Sequence, residues 1–314
     1  MKLLITGATG FLGSWLVKKM VSHGHDIAIL KRSFSNTYRI KKYLYKIRSY
    51  DIDKCCLEQP FREYGKFDAI IHTATVYGRG EENVREVFAA NIQFPLSLLD
   101  IAASSGTDTF INTDTFINTD NLRHKYLFSY SLSKKQFLEW GRQFASRKKI
   151  RFINIKLEHM YGPQDDKSKF CTHIIKSCLA NVPDLQLTLG EQKRDFIYVE
   201  DVVSAYKILV DQVPKHLDYF QEYELGTGKS VSIRTFVEMA HMLTKSTTHL
   251  NFGALPYREH EFMDSYANSE KLQQMGWEPI TRLADGISKI INEKNLKNDD
   301  DDKSGFRRFI NYPG

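Results

Sequence analysis

The chain has 314 residues, is 42% hydrophobic and 26% charged, and carries a net charge of +6 with a pI near 8.9. That length buries a sizeable core and suits two domains better than one, while the mild basicity fits an anionic small molecule and gives no reason to expect nucleic acid as a partner. Cys55, Cys56, Cys171 and Cys178 show neither disulfide-framework nor zinc spacing, no long apolar segment follows the charged start, and no run reaches the length of a membrane span, so we expect a reduced cytoplasmic protein without metal or membrane partner.

KLLIT, residues 2–6, reads as a short buried strand, and FLGSWLVKKMVSHG, residues 11–24, has helical apolar spacing ending at a C-cap glycine, Gly24. DIAILKRS is a second strand, TYRIKKYLYKI a helix, and RSYDID a short third strand. FDAIIHTAT is an apolar strand, and NVREVFAANIQFPLSLLDIAASSG is a helix interrupted by proline. DTFINTD is the fifth strand, YSLSKKQFLEWGRQFASRK a long helix, and RFINIKLEH the sixth strand. Strands alternating with helices predict an α/β fold with a doubly wound parallel sheet covered on both faces. The pattern loosens after about Lys156. We therefore expect a dinucleotide-binding domain over 1–155, to which segments within about 196–228 return, and a smaller mixed α/β domain over 156–298. An acidic run and a basic-aromatic tail follow at 299–314, expected to be disordered.

GATGFLG follows the first strand, with Gly7, Gly10 and Gly13 in G-x-x-G-x-x-G spacing. Glycines let a backbone turn tightly against a pyrophosphate, and the helix N-terminus behind them favours its charge. Thr9, Phe11 and Leu12 complete this loop. An NAD site wants an acid at the end of the second strand for the ribose 2′-hydroxyl. Here the strand ends in Lys31, Arg32 and Ser33, which suit a 2′-phosphate and hence NADP(H). Tyr130 and Lys134 lie four apart on one helical face. A free phenol titrates near pH ~10, and a neighbouring ammonium lowers that value toward useful acid–base chemistry. The same spacing recurs at Tyr38 and Lys42. What favours Tyr130 is its helix, placed directly after a strand and downstream of a dinucleotide loop.

GATGFLG, YSLSK, LEHMYGP and RDFIYVEDV, in this order over about residues 1–290, resemble the extended short-chain dehydrogenase/reductase family of nucleotide-sugar epimerases, dehydratases and reductases. More narrowly, IKLEHMYGPQDDKSKF and the compact loop before YSLSKKQF are similar to the CDP-paratose and CDP-abequose synthases. The resemblance implies a Rossmann-type domain with a smaller sugar-nucleotide domain. It also implies NADPH as cofactor, a nucleotide diphosphate sugar as substrate with CDP favoured, O-antigen dideoxysugar synthesis, and a homodimer built on the helices spanning 91–105 and 130–147. The expected reaction is reduction of a C4 keto group on a 4-keto-6-deoxyhexose. A 4-epimerase holding NAD and a catalytically silent NADP-binding relative are the alternatives.

The hexamer TFINTD occurs twice in tandem, at 109–114 and 115–120. One repeat is too short for a solenoid. The family places a Ser or Thr hydroxyl at the end of the fifth strand. Counting from Phe110 it falls on Thr115, at the seam of the two copies, with Thr113 as the other possibility on the substrate side. Family dehydratases follow this residue with Asp-Glu, whereas Phe116 and Ile117 follow it here, so 4,6-dehydration is not expected. The resemblance also assigns Asp51 and Ile52 to the adenine contact, and His72, Thr73, Ala74, Thr75 and Asn91 to the cofactor wall and a helix anchor. His159, standing where the family has asparagine, Tyr161, Arg194 and Arg258 fall on the substrate side, the arginines for the diphosphate.

Overall fold

The computed structural model describes residues 1–78, 83–117, 127–211, 218–259 and 261–295. The tail at 299–314 lies outside them. Seven strands form one sheet: β1 (Lys2–Thr6), β2 (Asp26–Lys31), β3 (Arg48–Asp51), β4 (Ala69–His72), β5 (Thr109–Thr115), β6 (Arg151–Leu157) and β7 (Phe220–Leu225). Their order is β7-β6-β5-β4-β1-β2-β3 and every pairing is parallel. Leu3, Leu4, Ile5, Ile27, Ile29, Ile70 and Ile71 are fully buried, as a parallel sheet covered on both faces requires. The strand order reverses between β1 and β4, and in open α/β sheets ligands bind outside the carboxyl ends of the strands at that point.

The helices are α1 (Phe11–Ser22), α2 (Gln59–Tyr64), α3 (Val84–Phe88), α4 (Phe94–Ser104), α5 (Phe128–Ser146), α6 (Phe170–Leu179), α7 (Val199–Asp211), α8 (Ile233–Thr244), α9 (Glu270–Gln274) and α10 (Leu283–Asn295). A π-helical turn, Ala89–Gln93, joins α3 to α4. The stretch Val84–Ser104 is thereby long and apolar enough to cross a membrane, contrary to our expectation for this chain. Its Val87, Ile92, Leu98, Leu99 and Ala102 are buried, as in a core helix. Residues 38–46 form a 3₁₀ helix instead of the expected α-helix. Of its apolar positions only Ile40 is buried, and a segment that buries so little of its apolar stripe gains little from α-helical regularity.

The chain divides into two units. The first comprises Met1–Met160, Asp195–Ser230 and Ser265–Ile280. Two buried side chains explain the return of 265–280 to it. Asp195 accepts from Thr227 N at 2.8 Å, Gly228 N at 2.9 Å and Ala267 N at 3.2 Å. The Trp277 indole donates to Asp201 O at 3.1 Å and Ser204 Oγ at 2.9 Å. The second unit comprises Tyr161–Arg194, Val231–Asp264 and the residues from Thr281 onward. It packs Tyr161 and Phe170 against Phe236 of α8 and pairs the strands Asp184–Leu187 and His249–Phe252 in parallel.

Candidate active site

The glycine loop is cut to the chain's own backbone. Gly7 has φ +66°, and a Cβ there would lie 2.6 Å from Ala74 N. A Cβ at Gly13 would lie 2.1 Å from Gly7 O, so only glycine lets α1 approach β1 this closely. Gly10 is the N-cap of α1, with no side-chain cap and no acid in the first turn. An N-terminus left without a side-chain acceptor or a carboxylate is suited to a phosphate. This cradle, at the switch point of the sheet, fits the pyrophosphate of a dinucleotide.

The tips of β1 and β4 are held by one threonine. Thr6 Oγ1 bonds His72 Nδ1 at 2.8 Å and accepts from Thr73 N at 3.2 Å and Ala74 N at 3.3 Å. Thr73 Oγ1 donates back to Thr6 O at 2.8 Å. The His72 ring packs among Phe94, Phe110 and Phe137, and burial, helped by the nearby Lys134 charge, pushes its pKa well below the usual range. The sequence placed His72 in the cofactor wall, but its imidazole is a neutral core group. Thr73 and Ala74 lie against Gly7 of the glycine loop. Asn91, in the π turn, accepts from Val76 N and donates to Val76 O, both at 2.8 Å, and donates to Ser133 Oγ at 3.0 Å. It accepts from Thr75 Oγ1 at 3.2 Å. One buried amide thus ties the loop after β4 to α5.

At the tip of β2, Lys31 is not an available cation. It sits opposite Asp51 in the β2–β3 register and forms an ion pair with it. Ile52 N donates to Lys31 O at 2.9 Å. Asp53 accepts from Ser33 N and Ser33 Oγ, both at 2.6 Å. The Arg32 guanidinium rests 4.7 Å above the exposed Phe34 ring. A second guanidinium, Arg39, reaches the glycine loop and donates to Thr9 O at 3.4 Å. Sequence reasoning passed over Arg39, whose only signal was an arginine seven residues beyond Arg32.

Tyr130 and Lys134 are 5% and 4% exposed, on the inner face of α5. Lys134 Nζ lies 5.8 Å from the centre of the Tyr130 ring and donates to Thr113 O at 2.8 Å. Burial pushes the Lys134 ammonium down to about 8, against the pull of Asp114. The Tyr77 ring packs against Tyr130 at 4.9 Å. Thr115 is buried at the end of β5, with its amide bonded to the Asp114 carboxylate at 2.8 Å. The Thr113 hydroxyl is engaged elsewhere, with Tyr206 Oη at 2.7 Å.

The Phe116 ring lies 4.4 Å from the His159 ring, and His159 Nδ1 lies 3.3 Å from the buried Glu158 carboxylate. In the second unit Tyr161 is packed in the interior and Arg194 is ion-paired. Tyr161 is 1% exposed, donates to Leu283 O at 3.4 Å, and fills space that a Cβ at Gly286 would invade. Arg194 pairs with Glu261 and donates to Lys193 O at 2.7 Å and Phe262 O at 2.6 Å, so a phosphate would compete with a carboxylate for it. Arg258 is exposed and its carbonyl closes a turn with Glu261 N at 3.1 Å. Among the described residues no three His, Cys, Asp or Glu side chains gather as metal ligands.

A doubly wound sheet, a glycine cradle at its switch point and a buried Tyr–Lys pair together define an NAD(P)-dependent enzyme. The chain matches the NAD dependent epimerase/dehydratase family over residues 3–225, and it belongs to that family. It is 34% identical over 296 residues to the CDP-abequose synthase of Salmonella muenchen, covering 93% of this chain and 98% of that one. It is 32% identical to the CDP-abequose synthase of Salmonella typhimurium, covering 92% and 96%. Among solved structures it is similar to the Thermus thermophilus UDP-glucose 4-epimerase in complex with NAD, with TM-score 0.78, 20% identity and 94% and 99% coverage. The X-ray structure of Pal from Bacillus thuringiensis superposes with TM-score 0.81 at 23% identity, covering 95% of this chain and 100% of that one.

Proposed function

We propose that the protein reduces the C4 keto group of a nucleotide-linked 4-keto-6-deoxyhexose with NADPH, taking a CDP sugar and serving O-antigen dideoxysugar synthesis. The observation that carries this reading is the buried Tyr130–Lys134 pair, with Lys134 anchored on the carbonyl of Thr113 beside Thr115. The two similar CDP-abequose synthases support the substrate class.

The amides at the start of α1, with Gly7, Thr9, Gly10, Phe11, Leu12 and Gly13, would hold the dinucleotide. When bound, it supplies the hydride for C4. Tyr130 gives its phenolic proton to the oxygen that becomes the C4 hydroxyl. The Lys134 charge lowers the cost of the phenolate left behind. Thr115 donates a hydrogen bond to the same oxygen and fixes its direction. The Phe116 ring, packed against His159, follows Thr115 directly in the chain. Phe116 cannot move a proton, so elimination of water has no acid–base pair there. Arg32 and Arg39 favour a 2′-phosphate, two guanidinium groups being well matched to it.

An NAD-dependent 4-epimerase using the same three residues is the second reading, and the Lys31–Asp51 pair favours it by removing one cation from the ribose site. The exposed Val84, Phe88 and Trp140 on α3 and α5 support the homodimer. The test is loss of NADPH absorbance with freshly generated CDP-4-keto-6-deoxyglucose, beside the dTDP and GDP sugars, with Tyr130→Phe as control. Oxidation with the CDP sugar alone, abolished in the variant, is expected. No oxidation with any of the three sinks the reductase reading.

A further inference from the structure

Asp114 is a buried carboxylate that the chemistry above does not use. By strand alternation it faces the side of β5 opposite to Thr113 and Thr115, and it is 3% exposed. A carboxylate in such a place is costly unless it is hydrogen-bonded and met by a positive charge. The hydrogen bonds are present. One oxygen accepts from Thr115 N at 2.8 Å and the other from Asn154 Nδ2 at 2.9 Å. Asn154 in turn accepts from Asn112 Nδ2 at 2.8 Å and donates to Glu222 Oε2 at 3.0 Å, a ladder of side chains across β5, β6 and β7.

The positive charge is Lys134. Its Nζ is bonded to Thr113 O, the carbonyl of the peptide that leads into Asp114, and the nearby Asp114 charge raises its pKa against the effect of burial. The titratable groups named next, all among the described residues, are engaged elsewhere or uncharged. His72 on β4 is neutral and bonded to Thr6. Tyr130 on α5 is a phenol, and Tyr206 on α7 is a phenol that bonds Thr113 and is held protonated by burial. Glu222 on β7 and Lys156 on β6 pair with each other at 3.0 Å, at the more exposed end of the ladder, where Arg142 of α5 stands 3.9 Å from Glu222.

We propose that Asp114 is a positioning residue for the reacting pair: its carboxylate is the counter-charge that keeps the buried Lys134 ammonium protonated, and its bond to Thr115 N fixes the end of β5. This rests on the reading of Tyr130 and Lys134 as that pair. The acidity of Tyr130 then depends on a residue that touches neither substrate nor cofactor.

NMR of the cofactor-free protein labelled at lysine Cε follows Lys134 without any substrate, and the Lys134→Met spectrum identifies its signal. The wild-type signal should titrate at about 8, and in Asp114→Asn at least about one unit lower, the scale of losing an adjacent opposite charge. Asparagine keeps an acceptor for Thr115 N, so the Thr115 amide signal should move little. An unmoved Lys134 titration overturns the proposal. Urea unfolding gives a second reading. Without the ammonium, Asp114 keeps its charge but loses the counter-charge of Lys134, so Asp114→Asn/Lys134→Met should unfold at a higher urea midpoint than Lys134→Met alone. An equal or lower midpoint in the double variant also overturns it. Neither measurement uses a sugar nucleotide, so failure of the reductase assay and failure of this proposal are separate results.

Discussion

Charge at the proposed adenosine end of the site turns on three side chains, Lys31, Arg32 and Arg39, within nine residues. Lys31 spends its charge on Asp51, while Arg39 reaches the glycine loop through Thr9 O. Arg39→Ala should therefore raise the KM for NADPH by about tenfold, the scale of one charge-assisted hydrogen bond, and leave the KM for NADH within about twofold. Steady-state kinetics with both cofactors checks this, and equal effects on the two would remove Arg39 from the selection. The residue types at the β2 tip were legible in the chain, but their partners were not. That Lys31 faces Asp51 follows from the β2–β3 register, and register depends on loop lengths that composition does not specify. The burial of the His72 ring among Phe94, Phe110 and Phe137 was not legible for a similar reason, since these aromatic neighbours come from different elements. Tyr130 and Lys134 could be read because four-residue spacing fixes a shared helical face whatever the tertiary context.

Between α3 and α4 the π turn sets a buried amide where a regular helix would carry it past its partners. Asn91 meets both polar groups of the Val76 backbone and the Ser133 hydroxyl of α5. Asn91→Ala leaves those groups buried without it, and should lower unfolding free energy by about 2 kcal/mol, measurable by urea denaturation. A loss below about 0.5 kcal/mol, the scale of a surface substitution, would show that the turn is held by packing alone. Strands and long helices were readable here from apolar runs and spacing. The π turn was not, because the stretch around it is apolar on most sides and so marks no change of phase. The 3₁₀ segment 38–46 was likewise read as a helix, since its sequence has the spacing and lacks only the burial.

At the scale of the molecule, the buried Lys134 makes stability depend on alkaline pH. Its unfolded-state value is near 10.5 and its folded value about 8. In the interval between them the unfolded chain binds a proton that the folded protein has released, so the penalty for burying the ammonium, full below the folded value, is relieved as pH rises. The relief is on the order of 3 kcal/mol. Tyr64 and Tyr206, whose phenols burial pushes up, act in the opposite sense at still higher pH. The comparison is therefore with Lys134→Met. The urea midpoint of the wild type should gain on that variant between pH 8 and 10, and parallel curves would mean that Lys134 titrates normally. The return of 265–280 to the first unit depends on the hydrogen bonds of Asp195 and Trp277, which join residues tens of positions apart.

The doubled TFINTD has a consequence for how the sheet finds its place. Six is an even number, so sliding β5 forward by one copy would keep every side chain on its own face and offer β4 and β6 nearly the same partners. The strand itself therefore barely distinguishes the two threadings. The choice is left to the connection, since Gly106 turns the chain only three residues before the first copy. Removing either copy gives one and the same polypeptide, TFINTDN, in which the seventh position becomes the asparagine now numbered Asn121. The duplication thus places a threonine where a single copy would end in an amide, and the seam of a copying event supplies the hydroxyl at the end of β5.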